Sequence, residues 1–288
     1  MVQSSAGIEV QRVAAFADGN SGGNPAGVVL LDAWPSDAEM QSIAADVGYS
    51  ETVFVVPSVD GFAVRYFAPK AEVAFCGHAT IALGGVLAER FGDGRFQIQT
   101  AAGTRLKIFG DRLGRNWRAG FASARCTVGP LAPSVMSEMM DIFCLRRSDL
   151  DSRLQPTVAS AGLDHSFVFV SSRDSLRQIG YAFERGLKLS REHGFTTLAF
   201  VHMEQEDRFH ARNFFPVGGV YEDPATGAAA AALCGYLREC GWLAGSVIQI
   251  VQGEDMGQAC TITATIPEML LKGVAIEGTV RHIGAERA

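Results

Sequence analysis

Residues 48–55 of the chain read GYSETVFV, and residues 194–201 read GFTTLAFV. Both segments begin with glycine and end in an apolar run that is typical of a buried strand. Residues 64–69 (VRYFAP) and residues 211–216 (ARNFFP) match in the same order and at nearly the same spacing. Matches that recur in order along a chain indicate a duplicated structural unit.

The resemblance between the two halves continues beyond these segments. After each proline comes a loop that contains glycine and threonine, at residues 75–80 and 222–227. A small-residue helix is predicted after each loop, and a strand that ends in glycine is predicted after each helix. The helices are 81–90 and 228–239, and the strands are 96–103 and 247–253. Four matches in one order favour two equivalent halves.

Local patterns give the architecture of each half. Strand-like runs at 52–56 and 63–67 flank a turn, and Ser36 with Glu39 forms a capping box that predicts a helix over 37–47. Such hairpins with interspersed helices predict an α/β (α+β) fold. Each half is then a mixed, mostly antiparallel β-sheet curled around a central helix.

We expect the first half to span residues 1–118 and to be joined by a C-terminal strand at 274–288. The second half then spans 119–273, and a helix near 131–145 crosses between them. A cleft between two such pseudo-symmetric halves is the predicted place for a site.

Composition limits the possible partners. The chain has 288 residues, a formal net charge of -6 and scattered basic residues, so no nucleic-acid partner is expected. No apolar run reaches the roughly 20 residues that cross a bilayer, so no membrane partner is expected. Residues 1–10 lack a secretory signal, and the six cysteines form no CxxC pair. These features predict a cytoplasmic protein with reduced thiols.

The differences between the halves point to the chemistry. Glu51 stands in an apolar run where the other half has Thr197, and an acid in such a place is a candidate general acid/base. His78 and Asp223 lie where the two loops meet their helices. Helix N-termini attract anions, so a substrate carboxylate is expected there. Each residue also has a plain structural interpretation, as a surface acid, a core histidine or a helix cap.

Other chemistries fit less well. The six histidines include no HxxxH pair, so no metal site is expected. The glycine-rich stretch at 19–27 lacks the P-loop pattern, and no GxSxG elbow occurs.

Several blocks together resemble the phenazine biosynthesis PhzF-like family. They are GNPAGV (23–28), SET (50–52), RYFAP (65–69), FCGHAT (75–80) and EDPATG (222–227). The resemblance covers about residues 10–253. It implies the diaminopimelate epimerase-like fold and a homodimer that needs no cofactor.

The resemblance also implies roles for individual residues. In the phenazine branch the enzyme isomerises a dihydro-hydroxyanthranilate by moving a proton between carbons. Glu51 matches the glutamate that carries the proton, while His78 and Asp223 match residues that bind and polarise the substrate. The predicted substrate-binding positions are Ser50, Cys76, Gly77, Thr226, Gly227 and Ala228.

Two departures from the family pattern matter. Ala228 replaces the serine that follows EDPATG in the phenazine branch, which removes one hydroxyl contact to an anthranilate-like substrate. Cys76 stands where related racemases carry one of two catalytic cysteines, but the opposite loop has none, and Cys234 lies about two turns into its helix.

Three functional hypotheses follow. The first is an isomerase that moves a proton on a small carboxylate substrate through Glu51. The second is an amino-acid racemase or epimerase that uses Glu51, Cys76 or both. The third is a non-catalytic protein that binds a small molecule.

Overall fold

The computed structural model describes residues 2–3, 8–269 and 273–284. The chain divides into two units, of which the first contains Met1–Ala122 with Glu277–Ala288 and the second contains Ser123–Ile276. Residues 285–288 of the predicted C-terminal strand lie outside the described residues.

The first unit is built from strands β1–β9 and helices α1 and α2. The strands are β1 Val2–Gln3, β2 Glu9–Ala15, β3 Asn24–Leu30, β4 Glu51–Ser58, β5 Gly61–Phe67, β6 Glu72–Val73, β7 Gly94–Thr100, β8 Arg105–Leu113 and β9 Asn116–Arg125. The helices are α1 Asp37–Val47 and α2 Gly77–Phe91.

Neighbouring strands of this sheet pair mostly antiparallel. The exceptions are β3 with β4 and β5 with β7, which run parallel because a helix crosses over between them. Helix α1 makes the first crossover and α2 makes the second. The last strand of the chain, β18 (Gly273–His282), adds its end to β2 through Arg281 and His282.

Helix α1 follows from local sequence signals. Ser36 accepts a hydrogen bond from the Glu39 N–H, and the Glu39 carboxylate accepts one from the Ser36 N–H. The helix ends at Gly48, whose φ of 69° lies in the left-handed region that glycine adopts at little cost. Met40 and Ile43 pack against the sheet. The predicted helix and its capping box are confirmed.

Helix α2 is the buried centre of the unit. Every residue from His78 to Ala88 is buried, and the helix packs against β2, β3, β4, β7 and β8. Small residues permit this approach. A Cβ on Gly110 of β8 would lie 2.1 Å from the carbonyl oxygen of Gly84, and a Cβ on Gly84 would lie 2.8 Å from that of Phe109.

The second unit repeats this plan. Its strands are β10 Thr127–Pro130, β11 Thr157–Ser160, β12 Asp164–Phe169, β13 Thr197–Gln205, β14 Arg208–Phe214, β15 Glu222–Asp223, β16 Val247–Gln252 and β17 Cys260–Thr265. Its helices are α3 Pro133–Ile142, α4 Arg173–Gln178, α5 Phe183–His193 and α6 Gly227–Glu239. Short 3₁₀ helices cover Arg147–Asp149, Pro216–Gly218 and Glu254–Met256.

The parallel pairs of the second sheet correspond to those of the first. β12 pairs parallel with β13 across α4 and α5, and β14 pairs parallel with β16 across α6. Helix α6 is buried from Ala229 to Leu237 and packs against β10, β11, β12 and β17. Side chains of α3, α4 and α5 form a separate core with β12, β13 and β14. The predicted fold class, a mixed sheet curled around a central helix in each half, is confirmed.

The central helices begin earlier than predicted. Gly77, His78 and Thr80 were expected in a loop, yet α2 starts at Gly77 because the Thr80 N–H already donates to the Cys76 carbonyl. Helix α6 likewise starts at Gly227. Among the described residues, no helix has the length and apolar character that crossing a bilayer requires.

Removing the cap of α1 tests the local origin of that helix. We expect Ser36→Ala to lower the free energy of unfolding by about 1 kcal/mol, because the Glu39 N–H loses its acceptor. Ser42→Ala is the matched control, since Ser42 is exposed within the same helix and alanine is the better helix former. Urea denaturation measures both, and an equal effect of the two substitutions would contradict a role for the cap.

The packing of α2 on β8 predicts a second result. We expect Gly110→Ala to destabilise the protein by roughly 1–3 kcal/mol, because the new methyl group meets the Gly84 carbonyl. Gly94→Ala is the control, because Gly94 pairs with Gly110 across the sheet and a Cβ there has no neighbour closer than 3.8 Å. Thermal and urea unfolding measure the difference; a Gly110→Ala variant as stable as Gly94→Ala would contradict the close approach.

Candidate active site

Glu51 owes its position to the end of α1. The chain leaves this helix through Gly48, passes two residues, and enters β4 at Glu51, whose parallel neighbour in β3 is Ala26. The Glu51 side chain is 20% exposed, while Thr52 next to it is fully buried. Glu51 is therefore a partly exposed carboxylate at the start of a buried strand, where a ligand can reach it.

His78 lies beside Glu51, in the first turn of α2. Its Nε2 atom lies 3.5 Å from Glu51 Oε2 and 3.4 Å from Ser50 Oγ. Its Nδ1 atom lies 3.2 Å from the sulfur of Cys76. The imidazole is buried, so it is held between the carboxylate and the thiol with a polar partner on each nitrogen. A carboxylate and an imidazole in this arrangement can exchange and orient a proton.

A buried hydroxyl pair holds the start of α2. Thr80 Oγ1 donates to the Cys76 carbonyl at 2.7 Å, so the Tyr66 hydroxyl donates in turn to Thr80 Oγ1 at 2.7 Å. Burial raises the pKa of Tyr66, which keeps its donor proton. Cys76 and His78 are thus fixed relative to strand β5.

The first turn of α2 has positive electrostatic character. Its N-cap, Cys76, makes no side-chain cap, and no acidic residue lies in the turn. Helix N–H groups in a first turn have no acceptor within the helix and carry the positive end of the helix dipole. Gly77 belongs to this turn, and among the described residues a Cβ at its position would have only Phe121 nearby, at 3.8 Å.

In the second unit, Asp223 lies in the short strand β15, three residues before Thr226. Thr226 Oγ1 donates to Asp223 Oδ2 at 2.6 Å, and the Gln252 side-chain amide donates to the Asp223 carbonyl at 2.6 Å. Asp223 is half-buried. Its carboxylate stands immediately before helix α6, whose first turn has no acidic residue.

The remaining predicted positions lie at the start of α6. Thr226 is the N-cap of the helix, and Gly227 and Ala228 are its first two residues. Gly227 is buried and Ala228 is half-buried. Cys234 lies fully buried farther along the helix, where desolvation raises the pKa of its thiol. The structure thus groups Ser50, Glu51, Cys76, Gly77 and His78 in the first unit, and Asp223, Thr226, Gly227 and Ala228 in the second.

An ion pair that occurs in both units shapes the turn before each helix. Arg65 donates to both carboxylate oxygens of Glu72 at 2.8 and 2.6 Å, and Arg212 donates to both of those of Glu222 at 3.0 and 2.6 Å. Two parallel hydrogen bonds fix the orientation of a carboxylate as well as its distance. The matching pairs hold β6 and β15 against their neighbouring strands.

Strand register makes Thr197 the counterpart of Glu51. Each begins the strand that runs parallel to its predecessor, and each follows a helix that ends in a left-handed glycine, Gly194 or Gly48. Thr197 is 1% exposed. Its hydroxyl donates to Asn213 Oδ1 at 3.0 Å. The second unit therefore has a buried neutral group where the first has a carboxylate.

Two groups among the described residues place three potential metal ligands together. Glu51, Cys76 and His78 each offer one ligand atom within 4.8 Å of the others, and so do Glu138, Glu192 and His193. Carboxylate, thiolate and imidazole are all ligands of Zn²⁺. The first group contains two of the predicted catalytic residues, Glu51 and His78, and one predicted substrate-binding residue, Cys76.

Several polar residues that the sequence pattern did not single out hold the predicted site residues, either directly or through one further side chain. They are Tyr66 and Thr80 in the first unit and Asn213 and Gln252 in the second. The available signal was a polar side chain within an apolar strand or helix. That signal names no partner, because Asn213 and Gln252 are far apart in the chain.

Comparison with known proteins gives consistent relatives. A family model described as phenazine biosynthesis-like protein matches residues 13–281. An uncharacterized isomerase of Deinococcus radiodurans is 35% identical over 235 residues, which cover 80% of this chain and 76% of the relative.

Solved structures extend the comparison. The crystal structure of the Bacillus anthracis phenazine biosynthesis protein of the PhzF family has a TM-score of 0.83 and 27% identity, covering 96% of this chain and 97% of that one. A hydroxyproline epimerase of Agrobacterium vitis has a TM-score of 0.62 at 13% identity, over 96% of this chain and 91% of that one, which shows a shared fold. With a family model that matches nearly its whole length, the chain belongs to the family of phenazine biosynthesis-like proteins.

Proposed function

We propose that this isomerase moves a proton between carbon atoms of a small carboxylate-bearing substrate, with Glu51 as the general acid/base. The observation that carries the proposal is the pairing of a partly exposed carboxylate with a buried imidazole, Glu51 Oε2 and His78 Nε2, at 3.5 Å. Glu51 is accessible enough to meet a substrate carbon. Cys76 contacts Nδ1, the other nitrogen of the His78 ring, so His78 is held in place and can orient the carboxylate.

The asymmetry between the units supports one proton carrier rather than two. Inversion of a carbon centre by two bases needs an acceptor on each face of that carbon. The counterpart of Glu51 is Thr197, and the helix residue that corresponds to His78 is Ala228. Neither of these side chains can act as a base. A single carboxylate that removes a proton and returns it to another carbon fits this arrangement.

We assign substrate binding to the starts of both central helices and to Asp223. Uncapped first turns offer N–H donors and positive potential to a substrate carboxylate. Asp223 offers an acceptor to a substrate amino or hydroxyl group. That the two helix starts hold one ligand stays a prediction, as do the homodimer, the cytoplasmic location and activity without a cofactor.

One observation favours the second candidate function, racemisation or epimerisation of an amino acid. Cys76 lies 3.2 Å from His78 Nδ1, and an imidazole at that distance can take up a thiol proton. Cys76 would then be a second base beside Glu51. The third hypothesis, a binding protein without catalysis, provides no role for the contact between Glu51 and His78.

Deuterium incorporation distinguishes these functions even while the substrate is unidentified. The protein is incubated in D₂O with a panel of L- and D-amino acids and a dihydro-hydroxyanthranilate, and each compound is followed by mass spectrometry and optical rotation. Deuterium gained with a shifted double bond supports isomerisation. Deuterium gained at the α-carbon with loss of optical rotation supports racemisation. Binding by a compound that gains no deuterium and is recovered without a shifted double bond or loss of optical rotation supports the third hypothesis.

Glu51→Gln tests the proton carrier. We expect deuterium incorporation to fall by about 10²-fold or more, because the amide keeps the shape of the side chain but cannot accept the proton. Ligand affinity should be largely kept. Glu9→Gln, at an exposed strand position of the same unit, is the matched control. Near-normal turnover by Glu51→Gln would refute the assignment.

Cys76→Ala separates the two enzymatic hypotheses. We expect the rate to fall by clearly less than the roughly 10²-fold that loss of an acid/base group costs. Alkylation should be tested in a background without Cys144 and Cys240, because these two thiols are exposed and react first. Complete loss of activity in a folded Cys76→Ala protein would instead favour the racemase.

A further inference from the structure

A chain of buried polar side chains in the second unit ends on Asp223. Its members are His165, Thr197, Asn213, Gln252 and Thr226. The first four are no more than 2% exposed, whereas Asp223 is half-buried. This chain of hydrogen bonds therefore leads from the core of the unit to a carboxylate that a ligand can contact.

The main chain fixes the orientation of the Gln252 amide. Its Oε1 accepts from the Thr226 N–H at 3.3 Å, and its Nε2 donates to the Asp223 carbonyl at 2.6 Å. Exchanging the oxygen and nitrogen would oppose two donors at one end and two acceptors at the other. A backbone N–H and a backbone carbonyl cannot change these roles.

The fixed amide decides the proton of Thr226. Gln252 Nε2 also donates to Thr226 Oγ1 at 3.1 Å, so this oxygen receives a hydrogen bond and directs its own proton elsewhere. That proton is donated to Asp223 Oδ2 at 2.6 Å. Asp223 is thus bound as an acceptor at this oxygen.

The same reasoning runs back into the core. Gln252 Oε1 accepts from Asn213 Nδ2 at 3.1 Å, which leaves Asn213 Oδ1 to accept from the Thr197 hydroxyl at 3.0 Å. Thr197 Oγ1 must then accept from His165 Nδ1 at 2.8 Å. Desolvation lowers the pKa of His165 to about 3, so the ring is neutral with its proton on Nδ1. Its Nε2 has no hydrogen-bond partner among the described residues.

We infer that Gln252 and Thr226 are positioning residues that hold the Asp223 carboxylate as a hydrogen-bond acceptor, at the end of a chain in which every donor points from His165 toward Asp223. Hydrogen bonds aligned in one direction polarise one another, so the last donor, Thr226, is strengthened. A carboxylate held in this way recognises a substrate amino or hydroxyl group. The catalytic meaning of the inference rests on the proposed function, but the hydrogen-bond chain does not.

Nuclear magnetic resonance tests the hydrogen-bond chain without a substrate. In ¹⁵N-labelled protein, the imidazole nitrogens of His165 report the tautomer, and we expect the proton on Nδ1 at neutral pH. In protein labelled with ¹³C at aspartate Cγ, the signal lost in Asp223→Asn identifies Asp223. We expect this signal to shift in both Thr226→Val and Gln252→Met. The first substitution removes the hydroxyl donor, and the second removes the amide that orients it.

Ser166→Ala is the control for loss of a buried hydroxyl. Ser166 lies beside His165 in β12, is fully buried, and its Oγ has no partner among the described residues. We expect this variant to leave the Asp223 signal in place, even if its melting temperature falls as much as that of Gln252→Met. If Gln252→Met does not fold, Thr226→Val alone decides, since Thr226 is only half-buried.

Deuterium incorporation by the same variants connects the chain to catalysis. We expect Gln252→Met and Thr226→Val to lose roughly tenfold, as for loss of one oriented hydrogen bond. His165 protonated on Nε2, or an Asp223 signal unchanged in both variants, would overturn the inference. A shifted signal with unchanged incorporation would overturn the positioning role. If no protein incorporates deuterium, wild type included, the result counts against the proposed function. The hydrogen-bond chain is then tested by the NMR result alone.

Discussion

The burial of helix α2 from His78 to Ala88 is the constraint on which the candidate site depends. A helix surrounded by a curled sheet must present small residues where strands come close, and Gly84 and Gly110 approach backbone carbonyls in this way. A helix packed on all sides cannot shift along its axis without opening these contacts. Its first turn is therefore held at one place beside the start of β4. His78 meets Glu51 there because both elements are fixed by the core and not by the site itself.

Solvent access explains why the equivalent positions of the two units carry different chemistry. The Glu51 side chain is 20% exposed, and Thr197 is 1% exposed. An ionised carboxylate loses several kcal/mol of hydration when it is fully buried without a charged partner. A hydroxyl or an amide needs only a hydrogen-bond partner. The second unit therefore holds a neutral network at Thr197, while the first can keep a carboxylate that reaches solvent.

The features that the sequence predicted are those that depend on local patterns or on the internal repeat. The capping box of Ser36 and Glu39 predicted the bounds of α1, and the duplicated segments predicted the order of strands around each central helix. Glycine and histidine are weak helix formers, so the early start of α2 at Gly77 was not predicted. The pairing of Asn213 with Gln252 was also not predictable, since it depends on which strands become neighbours in the sheet.

The direction of the hydrogen-bond chain bears on which residues bind and which move a proton in the proposed function. A carboxylate that accepts a hydrogen bond from Thr226 is suited to bind a donor group and poorly suited to supply a proton. Cys234 cannot take over that task, because burial raises the pKa of its thiol. In the proposed function, proton transfer is therefore assigned to the first unit, where Glu51 and His78 lie in contact. A proton that leaves and returns through one carboxylate stays on one face of the substrate, which fits the proposed shift of a proton between carbons.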